Sequence, residues 1–274
     1  MSIAPVIKLY QIAYDAETLK SVEKSGFMLL DNLSNERPDW YEYWPIRNFL
    51  LKEKLDEDAF YGFFSPKFTA KTQLTHANVC DFVRDALARG PVDVALFCPQ
   101  PDMGANFLNV FEQAEVFDAG FMESAGAFLK AQGIDVPLAN LVMDSRQIVY
   151  SNYLVARPAF WRQWFSLNEA LFIVAEDAAH PLHAQMNFNT TYARNANRKV
   201  FLSERLASLL LYVQPQFKVA VANPFGFGWS MAKFRETPHD TYINDALKRA
   251  FRDTGFPQYM DAFRKQREKL TVQG

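Results

Sequence analysis

Val92-Asp93-Val94-Ala95-Leu96-Phe97-Cys98 is a short, almost wholly apolar run, and Pro99-Gln100-Pro101-Asp102-Met103-Gly104 closes it with turn-forming residues. A run of this length, bounded by prolines, reads as a strand buried on both faces. Such strands belong to sheets covered by helices on either side, and the flanking segments supply them. Before it, Val6–Tyr14 reads as a β-branched and aromatic first strand, and Ala59–Phe64 as a second. Between the two, Asp15 caps a helix over 16–24 that Gly26 ends. Helices are predicted over 67–71 and 76–88, then over 106–115 and 119–131. A strand over Gln147–Val155 leads into a long amphipathic helix from Pro158 to Glu176, with Trp161, Trp164, Phe165, Leu171, Phe172 and Ala175 on one core-facing stripe. A helix over Ser203–Tyr212, a strand over Phe217–Ala222 and helices near 239–253 and 257–270 complete the chain. Alternating strands and helices predict an α/β domain with a helical tail.

The composition fits that reading. A chain of 274 residues, 49% hydrophobic and 15% aromatic, can bury a full core. Its net charge of −2 and charged fraction of 22% exclude an intrinsically disordered chain and give no global reason to expect nucleic-acid binding. Two cysteines, Cys80 and Cys98, exclude a disulfide framework and a thiolate zinc site, and suit a reducing compartment. The opening MSIAPVIKLYQ lacks a charged region followed by an apolar one, and no long uncharged apolar run follows, so the expected location is cytoplasmic. Gly-x-Ser-x-Gly, the P-loop, GxGxxG, HExxH and CxxC are all absent. His180 and His183 are three residues apart, but Pro181 between them argues for a loop rather than a ligand pair.

In open α/β sheets ligands bind beyond the carboxyl ends of the strands. The second strand runs out into Ser65-Pro66-Lys67, and the next into Gln100-Pro101-Asp102. Asn152 lies within an otherwise apolar strand that Asp144 and Arg146 precede, and needs a polar partner if buried. Asp102 reads either as a turn-forming residue or as a carboxylate holding a divalent cation. Around Arg47, the aromatics of Trp40-Tyr41-Glu42-Tyr43-Trp44 form either a stacking surface for a base or a lid packed on the core. The segment 248–270 carries seven basic residues against three acidic ones, interleaved with aromatics. It suits either peripheral contact with an anionic inner-membrane surface or a solvated helical face.

One resemblance runs through these elements. Tyr43-Trp44-Pro45-Ile46-Arg47 is followed by Tyr61-Gly62-Phe63-Phe64-Ser65-Pro66-Lys67-Phe68, then by Asn109-Val110-Phe111-Glu112-Gln113. Ser151-Asn152-Tyr153-Leu154-Val155 then leads into Pro158-Ala159-Phe160-Trp161, and Arg198–Leu206, with Glu204-Arg205-Leu206, comes last. This order resembles the bacterial capsular and O-antigen polysaccharide glycosyltransferase-like proteins, a group with a GT-A-like fold. The resemblance implies a single Rossmann-related domain with a mixed central sheet over 1–235 and a helical extension over 236–274. It implies transfer of a sugar from a nucleotide-sugar donor to a bacterial surface polysaccharide, or a non-catalytic, glycan-binding accessory role on the same fold. Tyr10, Gln11, Trp44, Arg47, Ser65, Lys67 and Asn152 would bind the nucleotide-sugar, with Arg47 or Lys67 neutralising the leaving group. Glu112 or Asp144 would be the general base. The Asp-x-Asp motif of GT-A enzymes is absent from the strand ends, and Asp56-Glu57-Asp58 precedes a strand instead. A Mn or Mg ion would therefore rest on Asp102. Glu204 and Arg205 are expected to form an internal ion pair.

Overall fold

The computed structural model describes residues 5–190, 196–230 and 238–271. Six strands form one mixed sheet: β1 (Val6–Ala13), β2 (Met28–Asp31), β3 (Ala59–Phe64), β4 (Val94–Leu96), β5 (Leu154–Ala156) and β6 (Val219–Val221), in the order β2-β1-β3-β5-β4-β6. β1 pairs parallel with β2 and β3, and β4 with β6, while β5 is antiparallel to both of its neighbours. Five strands thus run one way. Because β5 runs the other way, the residues leading into it, Ser151 to Tyr153, join the carboxyl ends of the rest.

Helices surround the sheet: α1 (Ala16–Ser25), α2 (Tyr43–Lys52), α3 (Phe68–Thr72), α4 (His76–Arg89), α5 (Pro101–Ala105), α6 (Val110–Phe117), α7 (Phe121–Ala131), α8 (Pro158–Glu176), α9 (His183–Met186), α10 (Arg198–Val213), α11 (Pro238–Thr254) and α12 (Pro257–Thr271). Strand alternation divides the apolar residues between two cores. Tyr61, Phe63, Val94, Leu96 and Leu154 join the larger core, against α6, α7, α8 and α10. Phe60, Phe64, Ala95, Phe97 and Val155 join the smaller one, against α3 and α4. All six residues of β3 are buried, as a strand covered on both faces requires. Gly62 sits in β3 because a Cβ there would meet Val155 Cγ2 at 2.9 Å. The α8 stripe faces the core as expected: Trp161, Trp164 and Leu171 are fully buried, and the Trp161 indole donates to the Tyr61 carbonyl at 2.9 Å.

Several boundaries differ from the sequence reading. The strand expected over Gln147–Val155 is confined to Leu154–Ala156, because Asp144 to Asn152 fold back in turns, with φ of +59° at Ser151 and +50° at Asn152. The strand expected over 92–98 pairs only at Val94–Leu96, and Pro101 then starts the short α5 inside the expected loop. α6 begins late because the Asn109 side chain caps it, accepting from the Phe111 and Glu112 amides. β2 is an edge strand that the sequence reading lacks.

Part of the extension's positive charge is turned inward. Lys248 is fully buried and donates to the Gly104 and Phe107 carbonyls, both at 2.7 Å. Arg252 donates to the Val142 carbonyl at 2.8 Å, and Arg267 pairs with Glu112 at 2.8 Å. Arg249, Arg264 and Lys265 are exposed. The expected boundary at 235/236 and the side chain of Lys269 lie outside the described residues. Among those residues no helix is long and apolar enough to cross a membrane.

Candidate functional site

The chain runs from β1 outward to β2, then crosses to the other side of β1 to form β3. That reversal opens a crevice at the carboxyl ends of the strands. A cavity of about 490 Å³ lies there, lined by Ile12 and Tyr14 after β1, Asn32 and Asn35 after β2, and Ser65, Pro66, Lys67 and Lys71 after β3. Pro38, Tyr41 and Glu42 close its remaining wall. The β3 side is held by polar contacts. Ser65 and Tyr153 share a hydroxyl hydrogen bond of 2.6 Å, and Gln11 donates to the Ser65 carbonyl at 3.3 Å. The Lys71 ammonium donates to Ser151 Oγ at 2.8 Å, and the Ser151 amide donates to Glu204.

The wall carrying Tyr41 is clamped from behind. Arg37 pairs with Asp39 at 2.9 Å and with Glu176 at 2.6 Å, Lys199 pairs with Asp39 at 2.7 Å, and the Trp40 indole donates to Glu176 at 2.9 Å. This network holds Tyr41 at φ +47°, ψ −130°, a strained conformation for a bulky residue. The other non-glycine residues of positive φ among those described are Asn35, Gln73, Gln100, Ser151 and Asn152. Asn35 lines the cavity, Gln73 and Ser151 adjoin or touch Lys71, and Gln100 reaches the Lys71 backbone through Gly228. Strain of about 1–3 kcal/mol at each such residue persists only where the surroundings over-determine the backbone, which is characteristic of functional sites.

The electrostatics are those of a mixed-charge pocket. Loss of hydration raises the Glu42 carboxyl above the ordinary carboxylate range, and Glu204 adds to this, against the pull of its own backbone amide, Lys71 and Lys67. Burial likewise pushes the Tyr153 phenol up. Gln11 Oε1 and Asn152 Oδ1 are buried and lack hydrogen-bond partners among the described residues.

Of the residues singled out in the sequence, Ser65 and Lys67 line the cavity, Gln11 sits directly behind Ser65, and Asn152 follows the Ser151 that holds Lys71. The others lie elsewhere. Tyr10 packs between Phe49 and Phe63 at 4.8 and 5.6 Å. Trp44 stacks on Phe172, and Arg47 pairs with Glu169 at 2.6 Å while lying over Phe172 at 4.4 Å. Within the Trp40–Arg47 stretch Trp40 and Tyr43 are buried on the core, while Tyr41 is exposed and lines the cavity with Glu42. Glu112 accepts from the Leu108 amide at 2.6 Å and pairs with Arg267. Asp144 is fully buried against Arg146 at 2.7 Å and Arg252 at 3.6 Å. Arg205 donates to the Val110 carbonyl and to Gln113, so it forms no internal pair with Glu204. Glu42, Lys71 and Glu204 are site residues that sequence reasoning missed. Lys71 carries a signal, standing one helical turn beyond Lys67.

Asp102 does not suit a cation. It is fully buried, and its two oxygens accept from the amide and hydroxyl of Ser230. Asp56 and Glu57 lie at the amino end of β3, where Glu57 pairs with Arg162 at 2.6 Å. Among the described residues no group of three or more His, Cys, Asp or Glu side chains could hold a metal ion. Glu42, the one carboxylate among the described residues that line the cavity, stands beside two ammonium groups, which repel a further cation. No protein-family model, curated protein or solved structure matches the chain.

Proposed function

We propose that this α/β chain is a GT-A-like glycosyltransferase that moves a sugar from a nucleotide donor to a polysaccharide acceptor. The observation that carries the reading is the cavity of about 490 Å³ at the sheet's reversal point, with Lys67 and Lys71 on one wall and Glu42 on the other. A mixed sheet with one antiparallel strand inserted among parallel ones supports the fold part of this proposal. The volume suits a nucleotide-sized ligand. Asn32, Asn35 and Ser65 offer hydrogen bonds to a sugar or base, and Tyr14 and Tyr41 offer ring faces for stacking. In the proposed reaction an acceptor hydroxyl oxygen bonds to the anomeric carbon while the bond from that carbon to the diphosphate oxygen breaks. Glu42 takes the hydroxyl proton, its raised pKa bringing it nearer the working pH of a general base. The lysines balance the charge that develops on the departing diphosphate.

The test is a thermal-shift screen against UDP, GDP, CMP and dTDP, each with and without Mn²⁺ or Mg²⁺. A ligand at 100 times its dissociation constant stabilises the native state by about 2.7 kcal/mol, or roughly 5 °C for a chain of this size. A shift with one nucleotide names the donor class. If no nucleotide moves the midpoint, the transferase reading is wrong, and a glycan-binding accessory role on the same fold takes its place.

A further inference from the structure

Most inward-facing cations of this protein are neutralised at close range. Arg47, Arg146, Arg198, Lys199 and Arg267 each meet a carboxylate within 3 Å. The buried Lys248 and Arg205 are held by backbone carbonyls and Gln113 instead, and the exposed Lys67 and half-buried Lys71 differ from both groups. Among the described residues neither has a carboxylate within ion-pair distance, yet both line the same cavity, one helical turn apart. Lys71 is moreover held in place: its ammonium donates to Ser151 Oγ at 2.8 Å and lies 5.5 Å from the centre of the Tyr153 ring. Ser151 is itself fixed at φ +59° by the bond from its amide to Glu204. Two ammonium groups without ion partners, on one wall of an open crevice, attract a multiply charged anion. Among the described residues that line the pocket, the one carboxylate offered to a divalent cation is Glu42, beside those two positive charges, and Asp102 is closed off by Ser230.

We infer that this cavity contains a metal-independent diphosphate subsite, in which Lys67 and Lys71 supply the counter-charge that a divalent cation would otherwise give. The inference rests on the transferase reading only for the nature of the ligand's other half. Glu204 is a positioning residue: through the Ser151 amide it sets the hydroxyl that aims Lys71. Lys67, at the exposed mouth, meets the outer phosphate, and Lys71, half-buried, the inner one.

The experiment is isothermal titration of the full chain with inorganic pyrophosphate, with the four nucleotides and with their uncharged nucleosides, in excess EDTA and again in Mg²⁺ or Mn²⁺. The expected result is diphosphate binding in EDTA within about twofold of that in metal. Lys67→Met and Lys71→Met are each expected to weaken it by about ten-fold or more, while affinity for the uncharged nucleoside stays within twofold. Lys67 is exposed and holds no ion pair, so a loss in Lys67→Met with an unchanged melting midpoint reports binding and not folding. Binding that requires metal, or that survives both substitutions, overturns the inference and leaves the transferase reading standing. Pyrophosphate binding in EDTA that no nucleoside improves upholds the subsite and removes the nucleotide donor. Absence of binding by every probe overturns both.

Discussion

Gly228 ties the fold to the candidate site, and replacing it with alanine tests that tie. The Gly228 amide donates to the Lys71 carbonyl at 2.7 Å, and the Gln100 amide donates to the Gly228 carbonyl at 2.7 Å. The end of α3 is thereby sewn to the loop after β4. A Cβ on Gly228 would lie 2.8 Å from the Lys71 carbonyl oxygen, where ordinary contact begins at 3.4 Å, so the two backbones must part by about 0.6 Å. The obstacle is main chain and cannot swing aside as a side chain would. Overpacking of this kind costs about 1–3 kcal/mol, and the stretched hydrogen bond about 1 kcal/mol more. Reduced freedom of the unfolded chain returns about 0.4–1 kcal/mol. A net loss of about 1–3 kcal/mol is expected for Gly228→Ala, read by urea denaturation followed through tryptophan fluorescence and circular dichroism. A Cβ on Gly226, two residues earlier, would meet nothing within 4 Å, so Gly226→Ala is expected to be neutral or slightly stabilising. Displacing the Lys71 backbone also moves its ammonium off Ser151, so Gly228→Ala is expected to lose pyrophosphate affinity and Gly226→Ala to keep it. Equal stability of the two variants would refute the reasoning.

Two further outcomes follow from buried charge. Arg198 meets the buried Asp118 through two hydrogen bonds of 2.7 Å, so Arg198→Met leaves that carboxylate enclosed and alone; a loss of about 3–5 kcal/mol is expected in chemical denaturation, and a loss below about 1 kcal/mol would show that Asp118 rehydrates. Burial, opposed by Asp245, Asp144 and Glu112, pulls the Lys248 ammonium down from 10.5 to about 8. Between those values the unfolded state binds more protons, so this group's contribution to stability rises with pH across that window, by up to about 3 kcal/mol. Below pH 8 it is flat. Comparison of the wild-type protein with Lys248→Met from pH 7 to pH 10.5 is expected to show that slope in the wild type only, and parallel curves would contradict it.

Elements whose signal is local are legible in the sequence. β3 and α8 begin and end where composition alone puts them, because a six-residue apolar run and a proline-started amphipathic stripe each carry their own boundaries. β2 is not legible, since Met28–Asp31 is four residues long, and an edge strand shows neither alternation nor a two-sided apolar run. The stretch before β5 reads as strand because Ile148, Val149 and Tyr150 are good strand formers, but tertiary bonds override that preference. The Val149 amide donates to Ser208 Oγ at 2.9 Å and the Tyr150 amide to Cys98 Sγ at 3.3 Å, which bends the chain toward the site.

The same distinction separates the acids from the lysines. Asp102 and Glu112 look reactive in the sequence because carboxylates near strand and helix ends suggest chemistry, and nothing nearby in the chain shows what holds them, whereas Asp144 has Arg146 two residues on, at 2.7 Å. The partners of the first two arrive from far along it: Ser230 is 128 residues beyond Asp102, and Arg267 is 155 beyond Glu112. Local excess of positive charge in the C-terminal helices misleads for the reciprocal reason, since Lys248, Arg252 and Arg267 are the inward partners of that same region. Once the long-range contacts are closed, Glu112 and Asp144 meet Arg267 and Arg252 of the tail, Asp102 is held by Ser230, and Lys248 by two backbone carbonyls. Lys67 and Lys71 sit together at the crevice where the sheet reverses direction, Lys71 held by Ser151 and Lys67 at the mouth, where their two positive charges suit a multiply charged anion.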